Sequence, residues 1–165
     1  MSLGLETMVR MGEIAVSRSR GDVLVAIGLG SCIGLALVDE TTSVAGLAHV
    51  MLPDSGAGTG DSLKFADKAV PALRDKVIAL GASPSRLQAV LVGGAQMFAL
   101  KGGQLDIGAR NEAATLELLA ELRIPVAAKE TAGSKGRTVR VHVEGCRIVC
   151  KEAGGPETAL FGVAA

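Results

Sequence analysis

Two apolar runs, Ile33 to Val38 and Val44 to Leu52, separated only by Asp39-Glu40-Thr41-Thr42-Ser43, constrain this chain more than any other feature. Each run is too short for a helix and the separator has turn composition, so together they read as one β-hairpin. Pro53 ends the second strand because it has no N–H for the ladder. Val9 to Val16 and Val23 to Ile27 read as two earlier strands, parted by a polar turn over 17–22. Ala66, Val70, Leu73, Val77 and Leu80 then recur at steps of four and three, which predicts an amphipathic helix over 63–80. Gly81 caps that helix, and Pro71 is expected to kink or divide it.

Leu87 to Val92 reads as a buried strand leaving through Gly93-Gly94. The glycine-rich stretch Gly102 to Gly108 leads into a second helix over 111–123, with Ala113, Leu116, Leu119 and Ala120 inward. Pro125 to Lys129, Thr138 to Val143 and Cys146 to Lys151 complete the strands, and 54–62 forms a surface loop. Two helices and seven or eight strands, most in hairpin succession, predict an α+β layered sandwich. Its mostly antiparallel or mixed β-sheet carries the two helices on one side. With 165 residues, 48% of them hydrophobic, residues 1–165 are expected to form a single domain.

Composition excludes several functions. Seventeen Lys+Arg balance seventeen Asp+Glu, so no basic field exists to neutralise a phosphate backbone, and nucleic acid is not an expected partner. Three Phe and no Trp or Tyr leave no stacking platform for bases. No apolar run approaches the roughly 18 residues that cross a bilayer, so membrane insertion is not expected and the chain is placed in the cytoplasm. Three cysteines, an odd number, do not make a disulfide framework.

The thiols separate by strand parity. A two-residue turn at Glu144-Gly145 pairs His142 with Arg147 and Val139 with Cys150. One face then carries Val139, Val141, Val143, Cys146, Ile148 and Cys150, and the other carries His142 between arginines. Cys146 and Cys150 are thus core thiols. A metal site built from His142, Cys146 and Cys150 fails on this parity, and neither a metal nor a cofactor is expected.

Cys32 follows Gly28-Leu29-Gly30-Ser31, where one strand ends in a small-residue turn and the next begins. Such a turn leaves backbone N–H groups free to meet a substrate oxygen. His49 lies in the partner strand. A two-residue hairpin loop sets Cys32 opposite His49, whereas a four-residue loop sets Cys32 opposite Met51 with His49 diagonal. Both registers put thiol and imidazole on one face, Cβ atoms roughly 5 to 8 Å apart. An imidazole there takes the thiol proton and holds the thiolate below the free-thiol pKa of about 8.5. The plainer alternative is a buried thiol beside a strand histidine bonded to backbone. Gly34 and Gly46 are expected to leave room above the pair. Gly28-x-Gly30 lacks the third glycine and the following helix of a dinucleotide loop.

Several segments together resemble the CheD family of chemoreceptor glutamine deamidases. They are Gly28-Leu29-Gly30-Ser31-Cys32, Ala48-His49-Val50-Met51-Leu52-Pro53-Asp54-Ser55, Lys64-Phe65-Ala66-Asp67, Gly93-Gly94-Ala95-Gln96-Met97-Phe98, Ile107-Gly108-Ala109-Arg110-Asn111 and Glu130-Thr131-Ala132-Gly133 with Gly136-Arg137. The resemblance implies a CheD-like cysteine hydrolase fold, with Cys32 as nucleophile and His49 as its base. Gly30 and Ser31 would sit at the oxyanion and substrate. It implies conversion of glutamine side chains on cytoplasmic helices of methyl-accepting chemotaxis receptors to glutamate, with release of ammonia. It also implies a second reading, a regulatory module that binds the CheC phosphatase with little deamidase activity. The third member of the family's catalytic group, usually threonine, falls on Ala26, which has no hydroxyl. Either the Ala26 main-chain carbonyl orients His49, or the chain is weakened or specialised for binding. A redox-sensing thiol finds no resolving cysteine near Cys32.

Overall fold

A computed structural model describes residues 4–56, 62–97 and 106–162. Ten strands and two α-helices follow one another as β1 (Glu6–Met8), β2 (Ile14–Ser17), β3 (Val23–Leu29), β4 (Ile33–Asp39), β5 (Val44–Val50), α1 (Ala66–Ala79), β6 (Gln88–Gly93), α2 (Ile107–Glu121), β7 (Val126–Thr131), β8 (Arg137–His142), β9 (Arg147–Glu152) and β10 (Glu157–Phe161). They build two five-stranded sheets, ordered β2-β5-β4-β6-β7 and β1-β3-β8-β9-β10. The β1–β3 and β6–β7 pairs are parallel and the others antiparallel, so the α+β layered sandwich expected from the sequence is what forms.

The β4–β5 hairpin occupies the middle layer. Every residue of both strands is buried. Ile33, Leu35 and Leu37 face α1 and α2 together with Val44, Ala48 and Val50, while Ala36, Val38, Ala45 and Leu47 face the second sheet. Burial on both faces explains why the strands read as continuous apolar runs without alternation. Both helices therefore lie on one side of the first sheet, and the second sheet covers its other side.

Three expectations change. The stretch 9–16 is not one strand: β1 belongs to the second sheet and β2 to the first, and the chain crosses between them over 9–13. Gly12 takes φ +78 at this corner, a left-handed conformation that glycine adopts without a Cβ clash. Pro71 does not divide α1, which runs unbroken; the carbonyl left without its helical donor is that of Asp67, in the first turn. In α2, Gly108, Asn111, Thr115 and Leu119 face inward while Ala113 and Ala120 are exposed. Two polar residues on the buried stripe disguise its phase. Strand β10, with only three apolar residues on a sheet edge, carries too weak a pattern to read from sequence. Most of the Gly102 to Gly108 stretch and of the 54–62 loop lies outside the described residues. No helix of the described residues is long and apolar enough to cross a membrane.

One buried charge ties the hairpin to the chain entering β6. Asp39, at the end of β4, is fully buried and accepts hydrogen bonds from Arg86 Nε and Nη2 (3.1 and 3.0 Å), from the Ser83 amide (2.9 Å) and from the Thr41 amide (3.0 Å). Burial pushes its carboxyl upward, but the guanidinium and the two amides outweigh it and hold the pKa down at about 2. Because the folded value is depressed, this carboxylate stabilises the fold above the unfolded Asp value of about 3.9, and loses that contribution as pH falls toward 2. Asp39→Asn should lower the melting temperature at pH 7 and flatten its decline between pH 4 and 2, as read by thermal melts across that window.

Candidate active site

Cys32 ends the turn Gly30-Ser31-Cys32 that joins β3 to β4, and His49 is the penultimate residue of β5. The ladder pairs Gly34 with His49 and Asp39 with Val44, so the hairpin loop has four residues. Of the two registers open from sequence, this one sets His49 diagonal to Cys32. Cys32 packs against the core between the sheets, and His49 shares strand parity with Ala45 and Leu47 of that core. Thiol and imidazole line one cavity of about 270 Å³ with Met8, Val9, Arg10, Met11, Ile27 and Gly28.

The chain crossing between the sheets holds His49. Its Nδ1 lies 2.9 Å from the Val9 carbonyl oxygen, the Gly12 amide donates to the His49 carbonyl (3.0 Å), and the His49 amide donates to the Glu13 carbonyl (3.1 Å). A carbonyl only accepts, so Nδ1 carries the proton in this bond and neutral imidazole keeps its lone pair on Nε2. His49 is 5% exposed. Here the expectation for Ala26 is corrected. Val9, not Ala26, supplies the orienting carbonyl, because the sheet-to-sheet crossing passes over His49 while Ala26 lies in β3 opposite Val139, inside the core. The missing hydroxyl at Ala26 therefore leaves Nδ1 with a partner.

Cys32 is half-buried, and burial pushes its thiol above the ordinary range. Among the described residues no hydrogen bond joins its Sγ to His49. Burial disfavours the charged sulfur and so works against the preformed thiolate expected from sequence. The other two thiols sit where parity put them. Cys146 is fully buried and points at the Asp39 and Val44 carbonyls, and its pKa is pushed up to about 11 by burial and by Glu40 and Asp39. Cys150 pairs with Val139 and is raised to about 11 by burial and Glu130. His142 lies on the opposite face, where burial, then Arg147, lowers its pKa. The β8–β9 ladder ends at His142 and Arg147, and Val143 to Cys146 form a wider turn than the two residues expected.

The turn carrying Cys32 is braced by all three of its carbonyls. Ala95 N donates to Gly30, Asn111 Nδ2 to Ser31 and Gly94 N to Cys32, each at 2.8 Å. Among the described residues the Ser31 and Cys32 amides donate to nothing. Gly93 has φ +112, and a Cβ there would meet the Cys32 carbonyl oxygen at 2.2 Å, so the close approach requires glycine. Asn111 was missed as a site residue. It is fully buried on α2, and the same Nδ2 also donates to the Met51 carbonyl (2.9 Å), so one amide ties the Cys32 turn to the end of the His49 strand. Its spacing with Gly108, Thr115 and Leu119 was the available signal, obscured because Leu119 is the one large apolar residue on that stripe. Gly34 and Gly46 do not open space above the pair. A Cβ on Gly34 would press on Leu29 and Val139, and one on Gly46 on Leu73 and Val77 of α1, on the sheet's other face. The open glycine is Gly28, at φ +68 in the bulge between Ala26 and Leu29, with nothing within 4 Å of its Cβ position.

Comparison with known proteins decides the family. Residues 51–152 match the model for CheD, described as CheD chemotactic sensory transduction. The chain belongs to the CheD family. It is 43% identical over 150 residues to the "Probable chemoreceptor glutamine deamidase CheD" of Caldanaerobacter subterraneus subsp. tengcongensis, covering 88% of this chain and 92% of that one. It is 39% identical over 153 residues to the "Chemoreceptor glutamine deamidase CheD" of Thermotoga maritima, covering 93% and 96%. It is 40% identical over 156 residues to the "Probable chemoreceptor glutamine deamidase CheD" of Archaeoglobus fulgidus, covering 94% and 98%. The CheD family model starts at Met51, beyond both Cys32 and His49, whereas an alignment over 94% of the chain takes in the turn and the hairpin.

Two outcomes follow from the geometry. Iodoacetamide should alkylate Cys32 well before Cys146 and Cys150, with a rate that rises only above the ordinary thiol range, as peptide mass spectrometry over a pH series reads. Asn111→Leu keeps similar volume but strips two half-buried carbonyls of their donor, so it should cost about 2 kcal/mol of stability in denaturant melts.

Proposed function

We propose that this protein is a cysteine-dependent amidohydrolase that converts glutamine side chains of chemotaxis receptors to glutamate. The observation that carries the reading is His49 anchored through Nδ1 on Val9, with Nε2 left as the proton acceptor in the cavity it shares with Cys32. The names of the relatives, which describe chemoreceptor glutamine deamidases, support the substrate.

In the proposed reaction a glutamine carboxamide enters the cavity and displaces water from around the thiol. Nε2 of His49 takes the Cys32 proton as Sγ bonds to the carboxamide carbon. The oxygen becomes negative and is met by the Ser31 and Cys32 amides, which point opposite to the Gly30 and Ser31 carbonyls held by Ala95 and Asn111; Gly30 supplies a small residue beside them. The C–N bond then breaks, and His49 returns the proton to nitrogen, which leaves as ammonia. Water, deprotonated by His49, adds to the thioester; the C–S bond breaks, and glutamate and the Cys32 thiol result. No step needs a cofactor. Because burial disfavours the Cys32 thiolate, His49 acts as a general base during attack, not as the partner of a stored thiolate. Receptor cytoplasmic helices as substrate place the reaction in the cytoplasm, and residues 1–165 act in it as one domain.

The family resemblance also supports a regulatory partnership with the CheC phosphatase, and one assay separates the two readings. Purified receptor cytoplasmic fragments should release ammonia and gain about one dalton per glutamine converted. Cys32→Ala should abolish the rate by about 10⁴-fold or more, and His49→Ala should lower it by about 10²- to 10⁴-fold. Full activity in both variants overturns the enzyme reading. A wild type that is inert on every receptor fragment but binds CheC turns the conclusion to the regulatory module.

A further inference from the structure

The peptide bond between Val9 and Arg10 is held at both ends. Its carbonyl oxygen lies 2.9 Å from His49 Nδ1, and its N–H donates to Glu13 Oε1 at 2.8 Å. The peptide is trans and planar, with C=O and N–H pointing opposite ways, so fixing one end aims the other. The Val9 amide donates to the Val25 carbonyl (2.7 Å), and the Val9 side chain is buried. Among the described residues Nδ1 has no partner besides this carbonyl, and Ala26 has no hydroxyl to supply one. The orientation of the imidazole therefore depends on the direction of a single peptide group.

Glu13 is fastened to the same crossing by its main chain. Its amide donates to the Arg10 carbonyl (2.9 Å), and its carbonyl accepts from the His49 amide (3.1 Å). The residue thus touches both the peptide that orients the imidazole and the strand that carries it. Among the described residues Glu13 joins no salt bridge, and its one side-chain hydrogen bond is the one to Arg10 N. A carboxylate that turns back on its own chain in this way fixes the local backbone. Glu13 is exposed, so water screens its charge, and what it contributes is the direction of the peptide rather than a field at the imidazole.

We propose that Glu13 is a positioning residue: by holding the Arg10 N–H it keeps the Val9 carbonyl on His49 Nδ1, and so keeps the imidazole in the tautomer whose Nε2 can take the Cys32 proton. The inference rests on the deamidase reading and names a residue that acts on the base without touching the substrate. An imidazole released from the carbonyl also populates the Nε2–H tautomer, which has no lone pair left for the thiol proton. The hold matters most during attack, when the imidazolium donates a charge-assisted hydrogen bond to the same carbonyl. An interaction that strengthens only as the reaction proceeds acts on kcat and leaves KM alone. Because the Glu13 side chain stands at the surface, its removal opens no cavity in the core.

The test compares wild type, Glu13→Ala and Glu13→Gln, the last of which keeps an acceptor oxygen without the charge. Heteronuclear NMR of isotope-labelled histidine reads the tautomer directly, and the chain has only two histidines to resolve. Wild type should show His49 with its proton on Nδ1, slow to exchange with water. In Glu13→Ala that proton should exchange about tenfold faster and kcat on receptor cytoplasmic fragments should fall about tenfold, with KM changed by less than about twofold. Glu13→Gln should stay within about twofold of wild type in both readouts. Unchanged kcat and exchange in Glu13→Ala overturn the proposal, as does a kcat that falls while the Nδ1 proton stays as in wild type. A loss confined to KM, an equal loss in Glu13→Gln, or a Glu13→Ala melting temperature below that of the assay overturns it equally. A wild type inert on every receptor fragment overturns the deamidase reading, while the NMR comparison still decides whether Glu13 holds the tautomer.

Discussion

Burial of β4 and β5 on both faces is the constraint on which the other layers depend. A hairpin that is apolar throughout has to be covered twice, by α1 and α2 on one side and by the second sheet on the other. The polar groups of this hairpin are then confined to its ends. At one end Asp39 is surrounded by Arg86 and backbone amides; at the other, Cys32 and His49 meet at the edge of the core. A polar side chain placed midway along either strand would have no water and no partner.

Covering the hairpin twice also obliges the chain to pass from one sheet to the other, and it does so beside His49. The crossing at 9–13 leaves the Val9 carbonyl for Nδ1 and fixes the histidine main chain through Gly12 and Glu13. On the opposite side, α2 and the Gly93-Gly94-Ala95 segment take up the carbonyls of Gly30, Ser31 and Cys32. Cys32 and His49 are thus held from different layers, and Asn111 joins the two supports through one side-chain amide. The same packing that positions Cys32 also desolvates it, which pushes its thiol pKa upward.

Much of this was legible in the residues. Parity alone separated Cys146 and Cys150 from His142, since a two-fold repeat needs no tertiary information. It also put Cys32 and His49 on one face, because both permitted hairpin registers shift the pairing by an even number. The glycine reading was less successful. Gly34 and Gly46 looked like space near the site, yet Leu29, Val139 and two residues of α1 fill the positions beside them. A glycine in sequence signals close approach, but not what approaches.

The sequence by itself determined the central hairpin, the layered α+β class and the shared face of Cys32 and His49, because these follow from periodicity and nearest-neighbour geometry. Only the tertiary structure decided that Val9 rather than Ala26 orients the histidine, that Asn111 braces the turn, and that Met8, Met11 and Ile27 stand together at the cavity mouth. Each of these is a contact between segments far apart in the chain. Such contacts depend on how the sheets cross and which helix face turns inward, and local pattern carries no record of either.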